Sequence, residues 1–131
     1  RAEARKNPAV TPPGGLRLAE AAADLQAMRS VILDGFRRYE AAHKNADDLG
    51  SVSFLAAMNT VKLNASNMMN DILRQALMIT GIWGYRNDSP YSLGRALRDA
   101  MSAPIMISND RIFGNTARLL LAHRFEARLS V

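Results

Sequence analysis

Between Phe54 and Ile79, apolar side chains recur at Phe54, Met58, Val61, Ala65, Met68, Ile72, Ala76 and Ile79, in steps of three or four residues. That period puts them on one side of an α-helix and holds for about seven turns at 3.6 residues per turn. A helix of that length with one apolar stripe must lie against other elements, which commits the chain to helix-on-helix packing. Polar Asn59, Asn64, Asn67 and Asn70 are interspersed. Most are expected to face solvent, and at least one to hydrogen-bond across the bundle or to a ligand. Met68 and Met69 read as adaptable packing.

A second stripe begins at Leu16 and runs through Leu18, Ala22, Leu25, Ile32, Phe36 and Tyr39. Its Ala-rich start, "LAEAAADLQAMRS", favours helix intrinsically. The spacing predicts helices over residues 16–45 and 52–80, separated by the turn residues of "KNADDLGS". Beyond them the second helix breaks at Gly81 and Gly84. Ser89-Pro90 offers an N-cap and a first-turn proline for a short helix, "YSLGRALRDAM", expected to end near Ser102-Ala103-Pro104. "PIMISND" reads as extended or irregular. Ser108, Asn109 and Asp110 are successive cap candidates for a last helix carried by Ile112, Thr116, Leu119, Leu120 and His123. No strand alternation and no internal repeat is visible.

The expected fold is therefore all-α, an antiparallel four-helix bundle over residues 16–131. A helix end and a Pro/Gly-rich connecting segment precede it over residues 1–15, which hold three of the five prolines. With 131 residues, 48% of them hydrophobic, the chain can build one core. It starts at Arg1 rather than Met and its first apolar period begins late, which reads as a piece of a longer protein.

The chemistry open to the chain is narrow. Zero cysteines fit a reducing cytoplasm and exclude thiolate chemistry. No apolar run reaches a membrane-spanning length and no signal-peptide pattern occurs. The 17 basic and 12 acidic residues leave +5, but the cations are spread from Arg1 to Arg128, as on solvated helix faces. No basic recognition helix points to nucleic acid. His43 and His123 lack ligand partners at helical spacing, so no metal site is expected. No phosphate-binding glycine loop and no poised serine is present.

The glycine break carries a resemblance. "GIWGYRNDSPYSLGRALRDA" resembles the C-terminal helical domain of the acyl-CoA dehydrogenase family, in which a long helix ends in Gln-x-x-Gly-Gly-x-Gly-Tyr/Phe before a Pro turn and a short helix ending in Arg-Asp. Gly81, Gly84, Tyr85, Asn87, Asp88, Pro90, Arg95, Leu97, Arg98 and Asp99 fit that pattern, with about two extra residues around Tyr91-Ser92. Upstream, Leu18 to Glu20 and Arg29 fit the family's Leu-Ala-Asp/Glu helix, and Lys62 falls where the next helix commonly carries Ala-Lys. "NTARLLLAHR" looks like the final helix.

The resemblance implies FAD as cofactor, held partly by this domain of a neighbouring subunit. It assigns Gly81, Gly84 and the backbone around Tyr85 to the adenosine end, since glycine lacks a Cβ and tolerates positive φ. Arg1 or Arg5 matches an arginine set against the flavin pyrophosphate, and the implied cofactor-binding set extends to Asn109. The implied reaction is dehydrogenation of an acyl thioester, of coenzyme A or an acyl carrier protein, in a homotetramer. "PIMIS" and "LLLA" agree with burial against other subunits.

Departures from the pattern are specific. The family's glutamine before the glycines falls at Met78, its second glycine at Ile82, and a glutamine upstream near Pro12. Many members carry the catalytic carboxylate about eight residues after Arg-Asp, which is Ile107 here. Some place it on the first helix of the domain, which would lie before Arg1. The nearest carboxylate, Asp110, is expected to cap the last helix rather than to act in catalysis, which leaves no catalytic residue in this chain. A flavin monooxygenase on the same fold and a non-catalytic helical interaction module stay open as alternatives.

Overall fold

The computed structural model describes Arg5 and residues 10–122. Two long helices, α1 (Gly15–Ala42) and α3 (Val52–Thr80), are joined through the one-turn α2 (Ala46–Gly50). They are followed by α4 (Ile82–Tyr85), α5 (Gly94–Met106) and α6 (Asn109–Ala122). No strand occurs among the described residues, and the fold class is all-α. None of their helices is long and apolar enough to cross a membrane.

α3 spans the expected residues, whereas α1 stops at Ala42 rather than at 45. The reason lies in Asn45, whose Oδ1 accepts from the Asp47 backbone N–H at 3.1 Å and caps α2. Asp47 and Asp48 then sit in the first turn, at the positive end of the helix dipole. What read as a loop is thus a separate helical turn. Ser51 starts α3 in the same way, its Oγ accepting from Phe54 N–H at 3.3 Å.

α1 and α3 run antiparallel, because their contacts pair rising with falling residue numbers. Gly14 lies beside Ile79, and a Cβ at Gly35 would sit 3.1 and 3.2 Å from the two Val61 methyls. Between them, Gln75 Nε2 donates to Asp24 Oδ2 at 2.8 Å. The buried residues of α1 are mostly small, Gly35 and Ala42 beside Met28. Leu18, Phe36 and Tyr39, expected on the packed stripe, are exposed, with 61% of Phe36 accessible. Contact with α3 covers only a narrow band of α1, so an apolar stripe wider than that band is left open.

The expected four-helix bundle is not closed among the described residues. α1, α5 and α6 each lie along α3, and neither α5 nor α6 packs extensively on α1. Leu120, also expected to be packed, is exposed on α6.

α5 also departs from expectation at both ends. Ser89-Pro90 does not start it; Ser89 Oγ accepts from Tyr91 N–H at 3.1 Å in a turn, and the helix begins at Gly94. Leu93 N–H is tied to the Gly84 carbonyl at 2.8 Å, which holds the segment at the corner before it can wind. At its far end the helix continues through Pro104 to Met106, so only Ile107 and Ser108 form the turn before α6.

The close approach at Gly35 gives a direct test. Gly35→Leu must separate α1 from α3 at Val61 and should cost about 1–3 kcal/mol. The midpoint of urea unfolding, followed by circular dichroism, should fall accordingly; an unchanged midpoint would remove this contact from the fold.

Candidate functional site

The break after α3 is made by two glycines for two different reasons. Gly81 has φ 57° and ψ −140°, the one positive φ among the described residues. Its N–H still donates to the Leu77 carbonyl at 2.7 Å, and its own carbonyl accepts from Gly84 and Tyr85 at 3.0 and 3.3 Å. The chain therefore turns sharply without losing its hydrogen bonds. A side chain at that φ is strained, although nothing lies within 4 Å of where its Cβ would be. Gly84 is buried, and a Cβ there would collide with Thr80 Oγ1, with Thr80 Cβ at 2.9 Å and Leu77 Cδ1 at 3.2 Å. Gly81 serves the backbone, and Gly84 serves packing.

Around the open face of Gly81 stand exposed Ile82, Trp83, Tyr85 and Tyr91. The Arg86 guanidinium lies 5.6 Å from the Trp83 ring centre, within cation–π range. It also grips Asp88 through both nitrogens, Nε to Oδ1 at 2.9 Å and Nη2 to Oδ2 at 2.5 Å. That hydrogen-bonded pairing holds the Asp88 carboxyl below its ordinary value of 3.8 and raises Arg86. The chain's single tryptophan thus reports on a charged clasp.

A second polar feature lies on α3. Lys62, Ser66 and Asn70 follow at i, i+4 and i+8, with Asn67 beside them, so they form a polar row along one side of the helix. Lys62 Nζ donates to the Ala103 and Ile107 carbonyls at 3.1 and 2.7 Å and to Asn109 Oδ1. Buried Asn109 donates from Nδ2 to Ser66 Oγ at 3.1 Å and to Asn67 Oδ1 at 3.2 Å. Asn70 Nδ2 reaches the Ser66 and Ala100 carbonyls at 2.8 and 3.2 Å. Asn67 and Asn70 are thus the asparagines of α3 that bond across the fold. The i, i+4, i+8 spacing was the available signal for this row, and sequence reasoning missed it by treating the asparagines singly.

These placements separate the predicted site residues. Gly81, Gly84 and Tyr85 share the corner. Asn109 is bonded at Lys62, Ser66 and Asn67, and the 14 residues from Asn67 to Gly81 span about 20 Å of helix axis. Asn109 and the corner are therefore two places, not one. Arg5 is helical and exposed, while Arg1 and His123 lie outside the described residues. His43 is exposed and stacks on Tyr39 at 5.7 Å, its Nδ1 2.7 Å from the Glu40 carbonyl. Among the described residues no cluster of His, Asp or Glu could hold a metal ion.

Of the three cap candidates for α6, Ser108 takes the task, its Oγ accepting from Arg111 N–H at 3.3 Å. Asp110, expected to accept such a bond, instead lies exposed in the first turn, where its charge favours the helix dipole. Ile107, at the position eight residues after Asp99, is 56% exposed.

A family model described as "Acyl-CoA dehydrogenase, C-terminal domain" matches residues 1–112. No curated protein and no solved structure matches the chain.

The Arg86–Asp88 clasp predicts an acid response at Trp83. Because the folded carboxyl titrates below 3.8, the clasp is intact at neutral pH and is lost as the pH falls through that lowered value. Trp83 emission should shift in that acid range, and Asp88→Asn should abolish the shift. A transition that survives the substitution would have another origin.

Proposed function

The chain belongs to the acyl-CoA dehydrogenase family, as its C-terminal domain, and from that premise we propose that the glycine corner contributes to the FAD site of a flavin-dependent acyl-thioester dehydrogenase. The observation that carries the reading is the open face at Gly81, where positive φ and the empty space around the absent Cβ allow a ligand to reach the backbone. Exposed Tyr85 and Trp83 beside it suit the apolar and aromatic surface of an adenosine group. Arg5 is exposed and remains the arginine offered to the pyrophosphate.

When bound, FAD supplies the acceptor for the hydride leaving the substrate's β-carbon. The part of this chain is to hold and orient. Ile107 cannot take a proton, and Asp110 serves the start of α6, so neither is the base that removes the α-proton. The thioester is one of coenzyme A or of an acyl carrier protein. The working form is a cytoplasmic homotetramer, in keeping with the absence of cysteine and with the exposed apolar side chains of Ile105, Met106 and Leu121. The isoleucine at 107 also favours a second reading, a flavin monooxygenase on the same scaffold, which needs no α-proton base. Reductase-dependent oxygen consumption without thioester oxidation would identify it.

Two experiments on the full-length protein test the reading. Tyr85→Ala removes an exposed ring, and Gly81→Ala puts a methyl on the open face while straining the backbone by about 1–3 kcal/mol. Both should lower FAD bound per protein with helicity retained. Unchanged flavin content in the folded variants would take the corner out of the site. Asp110→Asn should leave thioester-dependent flavin reduction in place. A loss of roughly a hundredfold to ten-thousandfold, the range for a general base, would make Asp110 that base.

A further inference from the structure

α5 contains a proline where a helix should not tolerate one. Pro104 has no N–H, so the Ala100 carbonyl four residues earlier loses its helical donor. Three residues later the backbone leaves the helix, with Ile107 at φ −114° and ψ 86°. A carbonyl left without a donor is costly where it is buried, as at Ala100, whereas Ala103 and Ile107 at this helix end are exposed.

α3 supplies the missing donors. Asn70 Nδ2 reaches the Ala100 carbonyl at 3.2 Å. The Lys62 ammonium has three N–H groups and three acceptors: the Ala103 carbonyl at 3.1 Å, the Ile107 carbonyl at 2.7 Å and Asn109 Oδ1. Two of them belong to the end of α5, where the helix dipole is negative and a cation is favoured. The third ties the first residue of α6 to the same nitrogen. Among the described residues no ion pair engages Lys62, so its charge is committed to carbonyl and amide oxygens. Beyond this clamp, Ile105, Met106 and Ile107 project outward, 72%, 82% and 56% exposed.

We infer that Lys62 is a positioning residue whose charge sets the α5–α6 turn: Asn70 replaces the bond lost at Pro104, and Lys62 holds the carbonyls at the end of α5 to the start of α6, so fixing the pose of the Ile105–Ile107 ridge. This goes beyond flavin binding, because the clamp is made entirely within this domain and acts on a different part of α3 from the glycine corner. Length alone is not enough, since an apolar side chain of equal reach would leave the two exposed carbonyls to water and nothing to tie the end of α5 to the start of α6. A donor without charge would restore part of the effect, and a second cation most of it.

The test is hydrogen–deuterium exchange of the full-length protein carrying Lys62→Met, Lys62→Gln or Lys62→Arg. Amides from Ile105 to Ile112 should exchange about tenfold faster in the Met variant, less so in Gln, and near the wild-type rate in Arg, with α1 unchanged in all three. Wild-type exchange in the Met variant, or an Arg variant no better than Gln, would overturn the inference. If the Met variant does not fold, the order of Gln and Arg decides alone. Bound flavin is not the readout, so failure here and failure of the flavin reading are told apart.

Discussion

Every other helix among the described residues rests on α3, and α3 can carry them because its 29 residues present two differently built faces. Toward α1 it offers half-buried apolar side chains and the Val61–Gly35 approach. Toward α5 and α6 it offers Lys62, Ser66, Asn67 and Asn70. The two faces act by different physics. The α1 seam is mainly non-directional burial, pinned at the Gly35–Val61 approach and by the Gln75–Asp24 hydrogen bond, whereas the polar row is directional throughout, because the Ala100, Ala103 and Ile107 carbonyls each meet a donor. The register of α5 and α6 is thus fixed by hydrogen bonds, and the α1 seam supplies burial.

That division accounts for what was legible in the sequence. Apolar period alone located α3 at residues 52–80 and identified helix as the only regular element, because periodicity reports on the element that carries it. It could not say which apolar residues would be covered, since covering depends on a neighbour. Leu18, Phe36 and Tyr39 have the correct period and still stay exposed. Pro104 misled for a related reason. Within α5 a proline is a stop signal, and here the side chain of Asn70, 34 residues earlier, supplies the donor that the Ala100 carbonyl has lost, while Lys62 holds the helix end beyond it. Local rules fail where a distant side chain replaces the missing bond.

Two groups of exposed apolar residues lie away from the glycine corner. One is the outer side of α1 with Leu33, Phe36 and Tyr39; the other is the ridge of Met101, Ile105, Met106 and Ile107. Single exposed apolar residues are ordinary, whereas clusters of this kind are the feature on which the proposed self-association rests. The rigidity of the two differs. Phe36 sits in mid-helix on α1, while the ridge hangs on the Lys62 clamp at a helix end. A contact made through the ridge is therefore coupled to a hydrogen-bonded turn, and one made through α1 is not.

The glycine corner shows why motif matching and geometry give different information about the same residues. Sequence assigned Gly81 and Gly84 together, as one signature with one task. Geometry separates them. Gly84 is spent against Thr80 and Leu77, so no ligand is needed to explain it. Gly81 is explained by its φ, and the space beside it stays open. Only at Gly81 does the missing Cβ leave room facing solvent, among Tyr85, Trp83 and the Arg86–Asp88 clasp. Since the clasp neutralises Arg86, a phosphate drawn to the corner would have to compete with Asp88 for the same guanidinium fork. On the proposed flavin reading, recognition at this corner would rest on backbone and aromatic surface, suited to the adenosine end, with the pyrophosphate left to an arginine elsewhere.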